Sequence, residues 1–204
     1  MGLKLHQNKV TLRILKEKNE AIILGEILHY IWEWILSQDR EILNMNQETE
    51  EFHQKIDLYI QKALAYYPEP LPQRKIIQKK VKEIIYKAFK SPEIEKLKEL
   101  FSQKNLEVYK EAESFFLEKG EIQEIRPDII LKTPKDWIIL EFKLHKDSHR
   151  EEEQLENYQR FLKKLSSDAN IKIYLIAFEP FSVEQKYVSS LSYPSQLKLF
   201  ENIG

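Results

Sequence analysis

The run Asp136-Trp137-Ile138-Ile139-Leu140-Glu141-Phe142-Lys143-Leu144 constrains the fold more than any other stretch of the chain. Its branched and aromatic residues predict a buried β-strand, yet a carboxylate and an ammonium stand in it. Side chains alternate across a strand, so Trp137, Ile139, Glu141 and Lys143 share one face, and Ile138, Leu140, Phe142 and Leu144 share the other. The second face is uniformly apolar and suits a core. Burying Glu141 or Lys143 without a partner is costly, and a mutual ion pair on a half-exposed strand is the plain explanation. The flanking residues supply a second one. Upstream, across a turn at Lys132-Thr133-Pro134-Lys135, lies a second apolar strand, Ile125 to Leu131, interrupted by Pro127-Asp128. Proline cannot donate to a sheet ladder and belongs at a strand start, an edge or a bulge. Asp128, directly after it, is placed to turn its carboxylate toward Glu141. Two converging carboxylates repel unless a cation neutralises them, and oxygen ligands of this kind suit Mg²⁺ or Mn²⁺. Lys143 beside such an ion would hold or activate a water.

The length of 204 residues fits one domain with a real core. The net charge of −1 rules out a global basic footprint, so any nucleic-acid surface must be local. The chain has no cysteine, which excludes disulfides, cysteine-ligated zinc and iron–sulfur clusters. Residues 1–18 carry scattered charges and no apolar run ending in a cleavage site, so a cytoplasmic protein without a signal peptide is expected.

The order of elements reads as helices, then strands. Glu20 to Ser37 is the most apolar segment, but Glu26, His29 and Glu33 recur at helical spacing, which marks the central helix of a soluble domain rather than a membrane span. Gly25 inside it costs roughly 1 kcal/mol against alanine and would be tolerated where another backbone comes close. Trp32 and Trp34 are expected in the core. Further helices are expected over Glu48–Tyr67 and Gln73–Lys90, and from Ser91-Pro92, as N-cap and first helical residue, to Gln103. Along Gln73–Lys90, Ile77, Val81, Ile84, Ile85, Ala88 and Phe89 form one side, with Lys75, Lys79 and Lys82 opposite. That basic stripe reads either as a solvated face or as a face for phosphates. From Leu106 the period becomes that of strands: Leu106–Leu117, a turn at Glu118–Glu121, and a hairpin partner from Ile122. A charged helix is expected over His149–Ser166, an interior strand over Ile171–Phe178, and an irregular tail from Pro180 with a short helix near Ser195–Asn202. The expected architecture is thus α/β in a single domain: a mainly helical part over 1–105, a βββαβ core over 106–180 and a tail over 181–204.

Taken in order, Gly25-x-x-x-His29, Asp128, Glu141-Phe142-Lys143 and Gln154-x-x-x-Tyr158 resemble the motifs of the RecB-type branch of the PD-(D/E)XK nuclease superfamily, over residues 21–178. The resemblance implies a restriction-endonuclease-like mixed sheet and a Mg²⁺- or Mn²⁺-dependent DNA nuclease acting in repair, recombination or defence. By the same resemblance Asp128 and Glu141 would be metal-binding carboxylates, with the Phe142 carbonyl and His29 as further ligands. Lys143 would position the attacking water, and Gln154 and Tyr158 would steady the site or contact the substrate backbone. Glu113 would be an additional acidic residue, with a solvent-facing strand as the other reading of that acidic stretch. The helicase-linked members typically carry Asp where this chain has Glu141, and the CRISPR-associated members carry cluster-binding cysteines that this chain lacks. No helicase motif is present, so a stand-alone or excised domain is expected, with a helicase as a fitting protein partner. From helical spacing, Glu33 or Glu26 is expected to accept the second ring N–H of His29. The competing reading is a non-catalytic nucleic-acid-binding or assembly module that keeps the fold.

Overall fold

The computed structural model describes residues 9–67, 73–110, 114–118, 121–146, 151–165 and 170–186, with side chains described from residue 20 onward except at 114–123, 151–153 and 165. Helices come first: α1 (Lys9–Gln38), a 3-10 turn (Arg40–Asn44), α2 (Glu50–Tyr66), α3 (Arg74–Lys90) and α4 (Ile94–Phe101). Strands β1 (Glu107–Lys110), β2 (Ser114–Glu118), β3 (Glu121–Ile125), β4 (Ile129–Lys132) and β5 (Asp136–Lys143) follow, then α5 (Glu151–Leu165), β6 (Asn170–Phe178) and β7 (Phe181–Lys186). The protein is mixed α/β, with helices followed by a five-stranded mixed sheet in the order β1-β4-β5-β6-β7. β5 and β6 run parallel, connected through α5, and the other neighbours are antiparallel. None of the described helices is long and apolar enough to cross a membrane.

Several expectations need correction. The hairpin expected from Leu106 is split. β2 and β3 pair with each other as a separate two-stranded sheet, whereas β1 pairs with β4 in the main sheet. The ladder breaks over 126–128, where Pro127 lacks the N–H that would continue it. The sheet has one strand more than βββαβ, because residues 181–186 form β7 rather than the start of an irregular tail. β7 is fixed by packing: Val183 is fully buried, and the Phe181 ring stacks on Trp32 with centroids 5.5 Å apart. The helix expected near Ser195–Asn202 lies outside the described residues. Ser91 does cap the turn into α4, its hydroxyl accepting from Glu93 N–H at 3.2 Å, but regular helix begins only at Ile94.

The sheet separates two cores, as the alternation along β5 requires. Ile138, Leu140 and Phe142 join Ile129, Leu131, Ile176 and Phe178 against the helical layer of α1 to α4. Trp32 sits at its centre, fully buried among Phe89, Phe178 and Phe181. Trp34 is only partly buried and holds the Lys62 ammonium 4.6 Å from its ring centroid. Ile139, Ile130 and Ile173 face the other way, onto Leu155, Tyr158, Phe161 and Leu162 of α5. One period-2 strand thereby places Glu141 and Lys143 under α5, and Phe142 under α1. The α3 register follows the apolar stripe, with Ile77, Val81, Ile84, Ile85, Ala88 and Phe89 all buried.

Gly25 does not mark a close backbone approach. A Cβ added there would meet only Leu144 Cβ at 3.8 Å, an ordinary van der Waals distance. The helical cost of glycine is therefore not offset by packing, and Gly25→Ala should stabilise the fold by about 0.5–1 kcal/mol. An increase in the urea midpoint with unchanged slope is the expected readout, and a decrease would show a packing constraint that the helix conceals.

Candidate functional site

Glu141 is 4% exposed, and its carboxylate is held from three sides. Lys143 Nζ donates to Oε1 at 2.8 Å, Gln154 Nε2 donates to Oε1 at 2.9 Å, and Tyr158 OH donates to Oε2 at 3.1 Å. The cradle is itself cross-linked. Gln154 Nε2 also donates to Tyr158 OH at 2.6 Å, Lys143 Nζ reaches Gln154 Oε1 at 3.2 Å, and Arg126 carbonyl lies 3.2 Å from the Tyr158 hydroxyl. Gln154 and Tyr158 are four residues apart and so project from one face of α5, which Leu155, Phe161 and Leu162 press onto the sheet. Burial pushes the Glu141 carboxyl above the usual carboxylate range, and the Asp128 charge adds to this, while Lys143 and Tyr158 only partly offset the rise. Tyr158 is likewise raised, by burial first and by the Glu141 charge next.

Asp128 stands at the ladder break just before β4. Its Oδ2 accepts the Phe142 backbone N–H at 2.6 Å, which ties the break to β5 beyond the last β4–β5 pair, Ile129 with Leu140. In an extended strand a residue's N–H and C=O point to one edge, so the Phe142 carbonyl emerges on the same side as Asp128. Oδ1 lies 3.1 Å from His29 Nε2, which comes from α1 on the opposite face of the sheet from Glu141. That contact is an ion pair when the ring is protonated, although its angle is poor for a hydrogen bond. The ring packs edge-on to Phe142, with centroids 5.4 Å apart. Burial pulls the imidazole pKa down, but Asp128, Glu33 and Glu141 outweigh it, so the net shift is upward. Glu33, one turn further along α1, is buried and forms an ion pair with Lys110 at 3.3 Å, while Glu26 is exposed.

The structure thus brings His29 to Asp128, and Lys143, Gln154 and Tyr158 to Glu141, with the two groups within electrostatic range of each other. Among the described residues, no group of three or more His, Asp or Glu side chains stands in metal-holding geometry. The His29–Asp128 pair does fit part of a cation site. Octahedral ligands at about 2.1 Å from an ion lie about 3 Å apart along an edge, close to the observed contact. Glu141 does not complete that site while both its oxygens are held by the cradle.

Glu113 lies outside the described residues. Lys75 and Lys79 are exposed on α3 and Lys82 is half-exposed, and no described contact joins them to these groups. Lys82 is ion-paired with Asp57 of α2 at 2.6 Å, and Lys79 stands 3.9 Å from Glu83. Beside His29 and Asp128 opens a cleft of about 500 Å³, bounded by α1, the end of α2 and the segment Arg126–Asp128. Its aromatic wall, Tyr30 with Tyr66, was not among the expected site residues. The signal available was Tyr66-Tyr67 at a helix end, directly before proline.

A scan against protein-family models and a comparison with curated proteins gave no match. Fold and site together define a mixed α/β protein with a buried carboxylate cradle beside a histidine–aspartate pair.

Because His29 is raised above its ordinary value, its pairing with Asp128 stabilises the fold fully below about pH 6.5 and ceases to do so as pH rises through the raised value. Asp128→Asn retains a carbonyl for the Phe142 N–H and removes the charge. The His29 titration, followed by NMR of its ring Cε1 proton, should then move to lower pH. An unmoved midpoint would show that Asp128 does not set the imidazole's charge.

Proposed function

We propose that the protein is a metal-dependent nuclease of the PD-(D/E)XK type, with a restriction-endonuclease-like core, hydrolysing phosphodiester bonds of DNA with Mg²⁺ or Mn²⁺. The observation that carries this reading is the convergence of Lys143, Gln154 and Tyr158 on Glu141, next to an Asp128 whose Oδ1 is set against His29 Nε2. A structural ion pair needs only Glu141 and Lys143. It gives no reason for a second buried carboxylate nearby with a histidine set against it.

His29 Nε2, Asp128 Oδ1, Glu141 and the Phe142 carbonyl are the groups that would hold the cation. When bound, it would neutralise the developing charge on the phosphate and lower the pKa of an attacking water. The chain's own groups would do the rest. Asp128 is pre-oriented by the Phe142 N–H, which leaves Oδ1 as the ligand atom. Lys143, the one ammonium beside Glu141 among the described contacts, would orient the water and stabilise negative charge at the scissile phosphate. Gln154 and Tyr158 would fix the Glu141 carboxylate, which must give up part of their hydrogen bonding to reach an ion. With the pKa values of His29 and Glu141 both raised, protons compete with the cation, and affinity should increase with pH.

One observation favours the alternative of a non-catalytic nucleic-acid-binding or assembly module: Glu141 is already satisfied within the protein, and no three-ligand group stands assembled among the described residues. Cleavage of linear and circular, single- and double-stranded DNA in Mg²⁺ or Mn²⁺ separates the two. The nuclease reading predicts divalent-dependent hydrolysis that Lys143→Ala lowers by about 10²–10³-fold. DNA binding without hydrolysis in either ion would establish the alternative.

A further inference from the structure

The cleft beside His29 and Asp128 carries an aromatic surface that the proposed chemistry does not use. Tyr66, the last residue of α2, is 73% exposed although it is one of the largest side chains in the chain. One face of its ring stacks on Tyr30, with centroids 4.9 Å apart and planes 20° from parallel. Tyr30 in turn lies against Trp34, at 6.2 Å and 33°. Lys62 stands over the Trp34 ring. The array is therefore braced from behind, and the outward face of Tyr66 is left to solvent. Tyr30 and Tyr66 line the same cleft as His29 and Asp128.

We infer that Tyr66, backed by Tyr30, is a stacking subsite for an unpaired nucleobase, so that the cleft selects single-stranded DNA or a frayed end over intact duplex. The inference rests on the nuclease reading for its choice of ligand and deepens it by naming the substrate class. A pre-stacked ring loses little freedom when a base is added, and every base has a face to offer. A base within a duplex has both faces covered by its neighbours and can reach Tyr66 only after leaving the stack. Glu26, Glu33 and Arg126 line the cleft as well, Glu33 ion-paired with Lys110, so the ring surface is the part of the wall whose chemistry suits a base rather than a phosphate. A base seated on Tyr66 keeps its strand in the cleft that holds Asp128 and His29, where the scissile phosphate must come.

The test is fluorescence anisotropy with a labelled oligodeoxythymidine and with a blunt duplex, in Ca²⁺, on the full chain and on Tyr66→Ala and Tyr66→Phe. Circular dichroism verifies the fold, which an exposed helix-terminal side chain should not control. Tyr66→Ala should weaken single-strand binding by about five- to hundredfold, while Tyr66→Phe stays within about twofold and duplex binding changes less than single-strand binding. The proposal is overturned if the oligodeoxythymidine does not bind, if Tyr66→Ala binds it as the unaltered chain does, or if both probes weaken equally. Cleavage with and without Lys143→Ala, measured in parallel, keeps the two readings apart. Tyr66-dependent binding without hydrolysis leaves the subsite standing and removes the nuclease, and Lys143-dependent hydrolysis with no Tyr66 effect does the reverse.

Discussion

The arrangement depends on keeping one carboxylate, Glu141, in a place where water is excluded. A buried carboxylate is expensive unless donors replace its hydration, and here they come from two elements: Lys143 from the same strand, Gln154 and Tyr158 from the helix above. Much else in the fold follows from meeting that demand. α5 must cross from β5 to β6 with one particular face down, and the parallel β5–β6 pair is the connection that lets a helix do so. The cradle does not fully neutralise the site, as the raised Glu141 pKa shows. A carboxyl raised in this way is found at reactive centres and also in structural ion-pair networks, so it is the second acid, Asp128, that sets this site apart from a simple ion pair.

Asp128 and His29 answer a different constraint. Strand alternation sends Glu141 to the α5 side and the apolar face of β5 to the α1 side, so a histidine on α1 cannot meet Glu141 through the sheet. The ladder break at Pro127 opens the place where the two sides come into range. Asp128 occupies it, anchored through one oxygen to Phe142 N–H and presenting the other to His29. A proline that looks like a local defect in a strand is thus what allows two faces of the sheet to address one point. The aromatic cleft opens beside the same break, with Arg126 and Pro127 in its wall.

What was legible in the sequence was whatever a single element determines. The period of β5 separates Glu141 and Lys143 from the apolar face, the spacing of Gln154 and Tyr158 puts them on one helical face, and the α3 stripe names its six buried residues. What was not legible depends on partners far along the chain. β7 is a strand because Phe181 and Val183 find the core around Trp32, and the alternation over its first four residues is too short to announce this alone. β1 pairs with β4 across an intervening hairpin that local turn signals cannot distinguish from a continuous one. The acid that pairs with Lys82 of the α3 stripe, Asp57, belongs to α2 and cannot be found from the spacing of α3 alone. Gly25 invited a packing explanation that only the space beside it could refuse.

The proposed metal site stands on whether His29, Asp128 and Glu141 close around one divalent ion. Anomalous diffraction from crystals soaked in Mn²⁺ addresses it directly. The expected result is a single strong peak about 2.1–2.3 Å from His29 Nε2 and Asp128 Oδ1, with the Glu141 carboxylate turned from Tyr158 toward the ion. A saturating soak that leaves Glu141 in its cradle, with no manganese between His29 and Asp128, would contradict it.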